Sequence, residues 1–114
     1  MNLKNHNEIE KIIKSVVIKI IKLYKGKGPD YVNVKITGKE IEICAKGILS
    51  SFGKFLIEHD GIEVVELARK KAQSILYKYM IDEILKETNL KCEVIYEECN
   101  FIEDFRKLIL KIEK

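Results

Sequence analysis

Between Glu8 and Leu23 the apolar residues Ile9, Ile12, Ile13, Val16, Val17, Ile20 and Ile21 recur at intervals of three and four, while Lys11, Lys14, Lys19 and Lys22 take other positions. That period predicts an amphipathic helix with a wide apolar stripe. Asn5 or Asn7 supplies its cap, Glu8 and Glu10 suit its positive end, and Lys22, Lys25 and Lys27 suit its negative end. Gly26, Gly28 and Pro29 stop it. The period then changes to two. Val32, Val34 and Ile36 alternate with Tyr31, Asn33 and Lys35, and after Thr37-Gly38-Lys39 a second alternation sets Ile41, Ile43 and Ala45 against Glu42, Cys44 and Lys46. Two strands joined by a tight turn, with one face buried, are expected.

Gly47 ends the second strand, and Ser50 or Ser51 caps a short helix through Phe52, Phe55 and Leu56 that His59-Asp60-Gly61 interrupts. From Ile62 to Lys86 the chain has no glycine or proline, and Val64, Ala68, Ala72, Ile75, Leu76, Tyr79, Met80 and Ile84 fall on one side. A helix of about 25 residues is about 37 Å long. It outruns a sheet whose strands span about 20 Å, so part of it is expected to pack on a second subunit. Thr88-Asn89 ends this helix, Asn89 taking the left-handed conformation that usually falls to glycine. Lys91 to Glu97 reads as a third strand and Phe105 to Ile112 as a fourth. The order is therefore helix, strand, strand, short helix, long helix, strand, strand. Strand pairs set between helices predict a single α+β domain over residues 1–114, with two helices packed on a four-stranded, largely antiparallel sheet.

Composition narrows the class. With 114 residues, 46% of them apolar, and a net charge of +3, the chain is long enough to bury a core without disulfides or metal. Val16 to Leu23, the most apolar stretch, is broken by Lys19 and Lys22, so no direct membrane insertion is expected. The first residues carry no apolar signal-peptide core, and Cys44, Cys92 and Cys99 are odd in number with no C-x-x-C spacing. Reduced thiols and a cytoplasmic location are the expectation.

Candidate chemistry is sparse. His59 stands beside Asp60 at a helix break, where it pairs or caps, and no serine or cysteine nucleophile carries a local motif. Glu97-Glu98 and Glu103-Asp104 flank the last hairpin, but acidic residues in turns are normally solvated surface. No catalytic residue, cofactor or metal is expected, and the chain reads as a non-enzyme. Lys25-Gly26-Lys27-Gly28-Pro29 offers amides and ammonium groups to a phosphate, yet it runs from helix to strand and its amides open no helix. The arginines say more. Of 21 basic residues only Arg69 and Arg106 are arginine, which suggests positions where a planar, multi-donor cation is needed. Arg106 falls opposite Glu97-Glu98 if the hairpin closes around Cys99 to Glu103, so a structural Arg106–glutamate pair is expected.

Taken in order, these landmarks resemble the MpsC-like family of small bacterial and archaeal domains. The family pattern has a first helix, Gly-x-Gly-Pro, a hairpin ending in Gly-x-Leu-Ser/Thr, and a glycine opening a helix with an arginine eight residues on. Here those are Gly26-Lys27-Gly28-Pro29, Gly47-Ile48-Leu49-Ser50, and Gly61 followed by Arg69. The family's Thr-Gly helix stop, acidic residue after the third strand and arginine in the fourth are matched by Thr88-Asn89, Glu98 and Arg106. Asn89 replaces a glycine, Glu98 an aspartate, and Ser51-Phe52-Gly53 a Pro-Ala-Glu-like helix start.

The resemblance implies the small soluble component of a cation-translocating system that generates membrane potential or takes up dissolved inorganic carbon. The expectation is a non-enzymatic homodimer that binds a protein partner, a membrane transport complex. Gly26, Lys27, Gly28, Pro29, Arg69, Glu98 and Arg106 are the candidate partner- or ligand-binding residues. Two other classes compete. One is a small nucleic-acid-binding domain using Lys25, Lys27, Lys35 and Lys46, disfavoured because the charge is spread along the chain. The other is a small-ligand sensor around Arg69, Arg106 and Glu98.

Overall fold

The computed structural model describes residues 5–113, in the order α1 (His6–Lys25), β1 (Tyr31–Thr37), β2 (Glu40–Lys46), α2 (Ser51–Glu58), α3 (Ile62–Thr88), β3 (Lys91–Asn100) and β4 (Phe105–Glu113). The α+β arrangement is as the periodicities predict. Asn5 is the residue that caps α1: its side chain accepts from the Glu8 amide at 2.9 Å while Glu8 accepts from the Asn5 amide at 3.1 Å, a reciprocal capping box. Ser50 caps α2 by accepting from the Gly53 amide at 3.0 Å. Asn89 closes α3 with φ 63, in the left-handed region.

The strands form one antiparallel sheet in the order β1-β2-β4-β3, so the two hairpins join through β2 and β4. Ile41 pairs with Leu110 and Ile43 with Leu108 at that seam. The alternating buried residues of β1 and β2 meet Ile13, Val16, Val17, Ile20 and Ile21 of α1 and Met80 and Ile84 of α3 in one core. The helices thus cover one sheet face. On the other face, Lys107 pairs with Glu42 at 2.9 Å.

β3 differs from the sequence reading in two respects. β3 runs on to Asn100, three residues beyond Glu97, because Glu98, Cys99 and Asn100 continue the ladder against Lys107, Arg106 and Phe105. The register also slips between Val94 and Tyr96. An extra residue in one strand reverses which face the following side chains occupy. Cys92 and Val94 face the helices before the slip, and Glu97, opposite Leu108, faces them after it.

α3 is one unbroken helix of 27 residues, about 40 Å long. Its second half is anchored in the core by Met80 and Ile84, whereas Val65 is the one buried apolar residue before Met80. The described residues accordingly extend 51 Å along one axis and only 22 and 21 Å along the others.

Candidate functional site

The reversed parity of β3 brings the two arginines together. Arg69, from the first half of α3, donates through Nη1 to Glu97 at 2.6 Å and to Gln73, one turn further along, at 2.7 Å. Arg106, one strand over in β4, places Nη2 3.7 Å from the same Glu97 oxygen. Each of the three charged side chains is about one-fifth exposed, at 22%, 15% and 19%. Two guanidinium groups therefore converge on one carboxylate in a largely desolvated setting. The Arg69 and Arg106 Nε atoms are buried without a hydrogen-bond partner.

Tyr77 and Tyr24 complete the cluster. The Tyr77 hydroxyl is buried beside Glu97 and makes no hydrogen bond of ordinary geometry. Burial first, and the Glu97 carboxylate second, hold its proton on well above the usual value of 10.0. Burial also raises Tyr24, with Arg106 opposing the shift. Cys99 lies beside Arg106 on the neighbouring strand, while the Cys92 thiol, deep in the core, is pushed up to about 11 by burial.

The sign of the tyrosine effect is fixed. An unfolded chain releases a tyrosine proton near pH 10, whereas the folded chain keeps it to higher pH. The contribution is whole below pH 10 and is lost as pH climbs above it. Tyr77→Phe is expected to change stability near neutrality by no more than about 1 kcal/mol, because what it removes is one imperfectly aligned contact with the Glu97 carboxylate. It should flatten the decline between pH 10 and 11.5, read as urea midpoints. A variant curve parallel to wild type would show that Tyr77 does not contribute.

Backbone contacts tie this cluster to the glycine motifs. Asp104, in the turn between β3 and β4, accepts the Ile48 and Leu49 amides through one carboxylate oxygen, each at 2.9 Å, and its carbonyl accepts the Gly47 amide at 3.0 Å. The Lys25 ammonium bridges the carbonyls of Gly47 and Gly28, the latter at 3.3 Å. The Asp30 amide donates to the Lys46 carbonyl at 2.9 Å. Gly26-Lys27-Gly28-Pro29, Gly47-Ile48-Leu49-Ser50 and the β3–β4 turn thus meet at one end of the sheet, the end at which Arg106 stands.

The expected site residues therefore separate. Arg69 and Arg106 share a carboxylate. Gly26, Gly28 and Pro29 build the corner, Gly26 as the left-handed stop of α1 at φ 92, and Lys27 is exposed. Glu98 does not join the two arginines. It lies on the opposite sheet face, where it accepts from the Tyr96 hydroxyl at 3.2 Å, and Glu97 takes the place expected for it because of the slip after Val94. His59 caps: its Nδ1 lies 2.8 Å from the Phe55 carbonyl, and its ring stacks on Phe55 at 4.2 Å.

Beside the cluster, α2 and α3 leave a groove of about 310 Å³ between them and the sheet end. Leu49, Leu56, Val65, Ala68, Ala72 and Leu76 form its apolar walls, and Arg69 and Arg106 line it as well. A smaller cavity of about 50 Å³ adjoins it through Tyr24, Ile48, Leu76 and Arg106. The expected Arg106–glutamate pair is present, with Glu97 as its acid, whereas the part played by Tyr77, the Asp104 contacts to the Ile48 and Leu49 amides and this groove are not signalled by the sequence. Among the described residues no cluster of three or more His, Cys, Asp or Glu is placed to hold a metal ion, and no helix is long and apolar enough to cross a membrane.

Residues 5–114 match the family model described as "Na+-translocating membrane potential-generating system (MpsC)". Comparison with curated proteins and with solved structures finds no match.

Proposed function

This chain belongs to the MpsC family, and from that premise we propose that it is a non-enzymatic, cytoplasmic component of a Na+-translocating, membrane-potential-generating system, acting as a homodimer that binds a protein partner of that system. The observation that carries this reading is the uncovered first half of α3. Val64, Leu67 and Ile75 are 50%, 56% and 70% exposed there, and Lys71 fills the intervening turn. Their spacing of three, four and four residues puts them on one side of the helix. Large apolar side chains on the outward side of a helix mark a face made to be covered.

The nucleic-acid alternative has less support. Lys25 is engaged by two backbone carbonyls, and on the open sheet face Lys35 pairs in register with Glu42, itself bridged to Lys107. A mixed face of this kind lacks the concentrated positive field that nucleic acid requires.

The test combines sedimentation with capture. Wild-type protein is expected to sediment as a dimer and, when tagged in its native cells, to recover membrane transport subunits after detergent solubilisation. The double variant Leu67→Glu/Ile75→Glu should sediment as a monomer with unchanged far-ultraviolet dichroism. A monomeric wild type that recovers no membrane protein would overturn the reading.

A further inference from the structure

We propose that the groove between α2 and α3 is a binding site for a small monocarboxylate with an apolar body, its carboxylate held at the Arg69–Arg106 end.

Charge sets the class of ligand. The two guanidinium groups share a single carboxylate, Glu97. Asp104, in the adjoining turn, directs its bonded carboxylate oxygen to the Ile48 and Leu49 amides, and among the described residues no acid other than Glu97 lies within ion-pair distance of either arginine. One cationic charge at the cluster is thus left without a paired anion. Arg69 bonds to Glu97 and Gln73 through Nη1 alone, Arg106 approaches Glu97 only to 3.7 Å through Nη2, and both Nε atoms are buried without a hydrogen-bond partner, which leaves guanidinium N–H donors without a carboxylate on groups suited to bidentate carboxylate recognition. A second source of positive potential opens on the same groove. Ser50, Phe52 and Gly53, at the amino end of α2, line it, and the first turn of α2 holds no acidic residue. Helix amino ends favour anions. A monoanion balances the surplus, whereas a dianionic phosphate would overshoot it in a site whose remaining walls are apolar.

Volume and lining set the body of the ligand. A cavity of about 150 Å³ lined by aliphatic side chains accommodates benzene, with its six carbons. A groove of about 310 Å³ therefore suits about a dozen non-hydrogen atoms by the same scale. Ala68 and Ala72 keep the α3 wall low along its length, and Phe52, 68% exposed, stands at the rim. A saturated ten-carbon acid meets these requirements of length, apolarity and single charge.

Decanoate and decanol are the probes, titrated calorimetrically into the purified full chain at pH 7. Decanoate is expected to bind at least tenfold more tightly than decanol. Ala72→Leu, which fills the groove and removes no hydrogen bond, should weaken decanoate at least tenfold with the melting temperature preserved. Arg69→Gln should reduce decanoate affinity to that of decanol and leave decanol unchanged. Equal affinity for acid and alcohol in wild type would overturn the assignment of the arginines. Undiminished decanoate binding in Ala72→Leu would overturn the groove. Because every measurement is made on the isolated protein, the result stands apart from whether a transport partner is captured.

Discussion

Glu97→Ala is expected to lower the unfolding free energy by about 3 kcal/mol, the scale for removing one partner from a buried ionic cluster. Glu97 is the carboxylate for both Arg69, at 2.6 Å, and Arg106, at 3.7 Å. Truncating it leaves two guanidinium groups facing each other and the Tyr77 hydroxyl in a pocket where each side chain is about one-fifth exposed or less. An exposed pair would be worth at most about 1 kcal/mol, so the magnitude separates the two descriptions. Urea denaturation of Glu97→Ala and of Glu97→Ala/Arg106→Met provides the measurement. The double variant should recover part of the loss, since removing one arginine removes the repulsion. A single-variant loss below about 1 kcal/mol would show the cluster to be solvated, and with it the electrostatic contrast that sets the groove apart from an ordinary surface cleft.

That cluster also marks where the sequence was readable and where it was not. The helix and hairpin periods translate directly into α1, β1 and β2 because their residues face a single core, and one side of each element decides its burial. The scarcity of arginine pointed to Arg69 and Arg106, and pairing β4 against β3 pointed to a glutamate. What strand alternation alone does not carry is the slip at Val94/Tyr96. A single extra residue exchanges the two faces, and so Glu97 rather than Glu98 meets the arginines. No composition signal announces it: Val94-Ile95-Tyr96 reads as good strand in either register. The break in alternation, with apolar side chains at Val94, Ile95 and Tyr96 in succession, was the trace available.

The groove was hidden for a different reason. It is formed by α2, α3 and the Gly47–Ser50 loop, which are distant in sequence from Arg106 and are brought to it by Asp104. Asp104 has φ 54 and stands in a turn where acidic residues are ordinarily solvated surface. Its role as acceptor for the Ile48 and Leu49 amides depends on β4 lying beside β2, which follows only from strand order. The length of α3 was legible, and so was the expectation that part of it leaves the sheet. Which side of it is uncovered became visible only once Met80 and Ile84 had fixed the helix rotation.

Gly47→Ala is expected to cost about 3 kcal/mol or more, and it tests whether the glycine motifs act as one corner. Gly47 has φ +71, and a non-glycine residue held in the left-handed region costs about 1–2 kcal/mol. A Cβ there would also stand 2.7 Å from the Asp30 amide nitrogen. That nitrogen cannot move freely, because its proton is donated to the Lys46 carbonyl at 2.9 Å. Gly47 itself is tied on both sides, its amide to the Asp104 carbonyl and its carbonyl to the Lys25 ammonium. Relief of the overlap therefore requires shifting Asp30, the β1 start or the Asp104 turn, and each shift breaks one of these bonds. Gly38→Ala is the control. Gly38 has φ +60 in the β1–β2 turn with no atom within 4 Å of the added carbon, so it should show the conformational term alone, about 1 kcal/mol. For a domain of this size the difference corresponds to roughly 8 °C or more in melting temperature. If the two alanine variants melt together, the contacts around Gly47 yield without cost, and the corner does not position Arg106 against the groove.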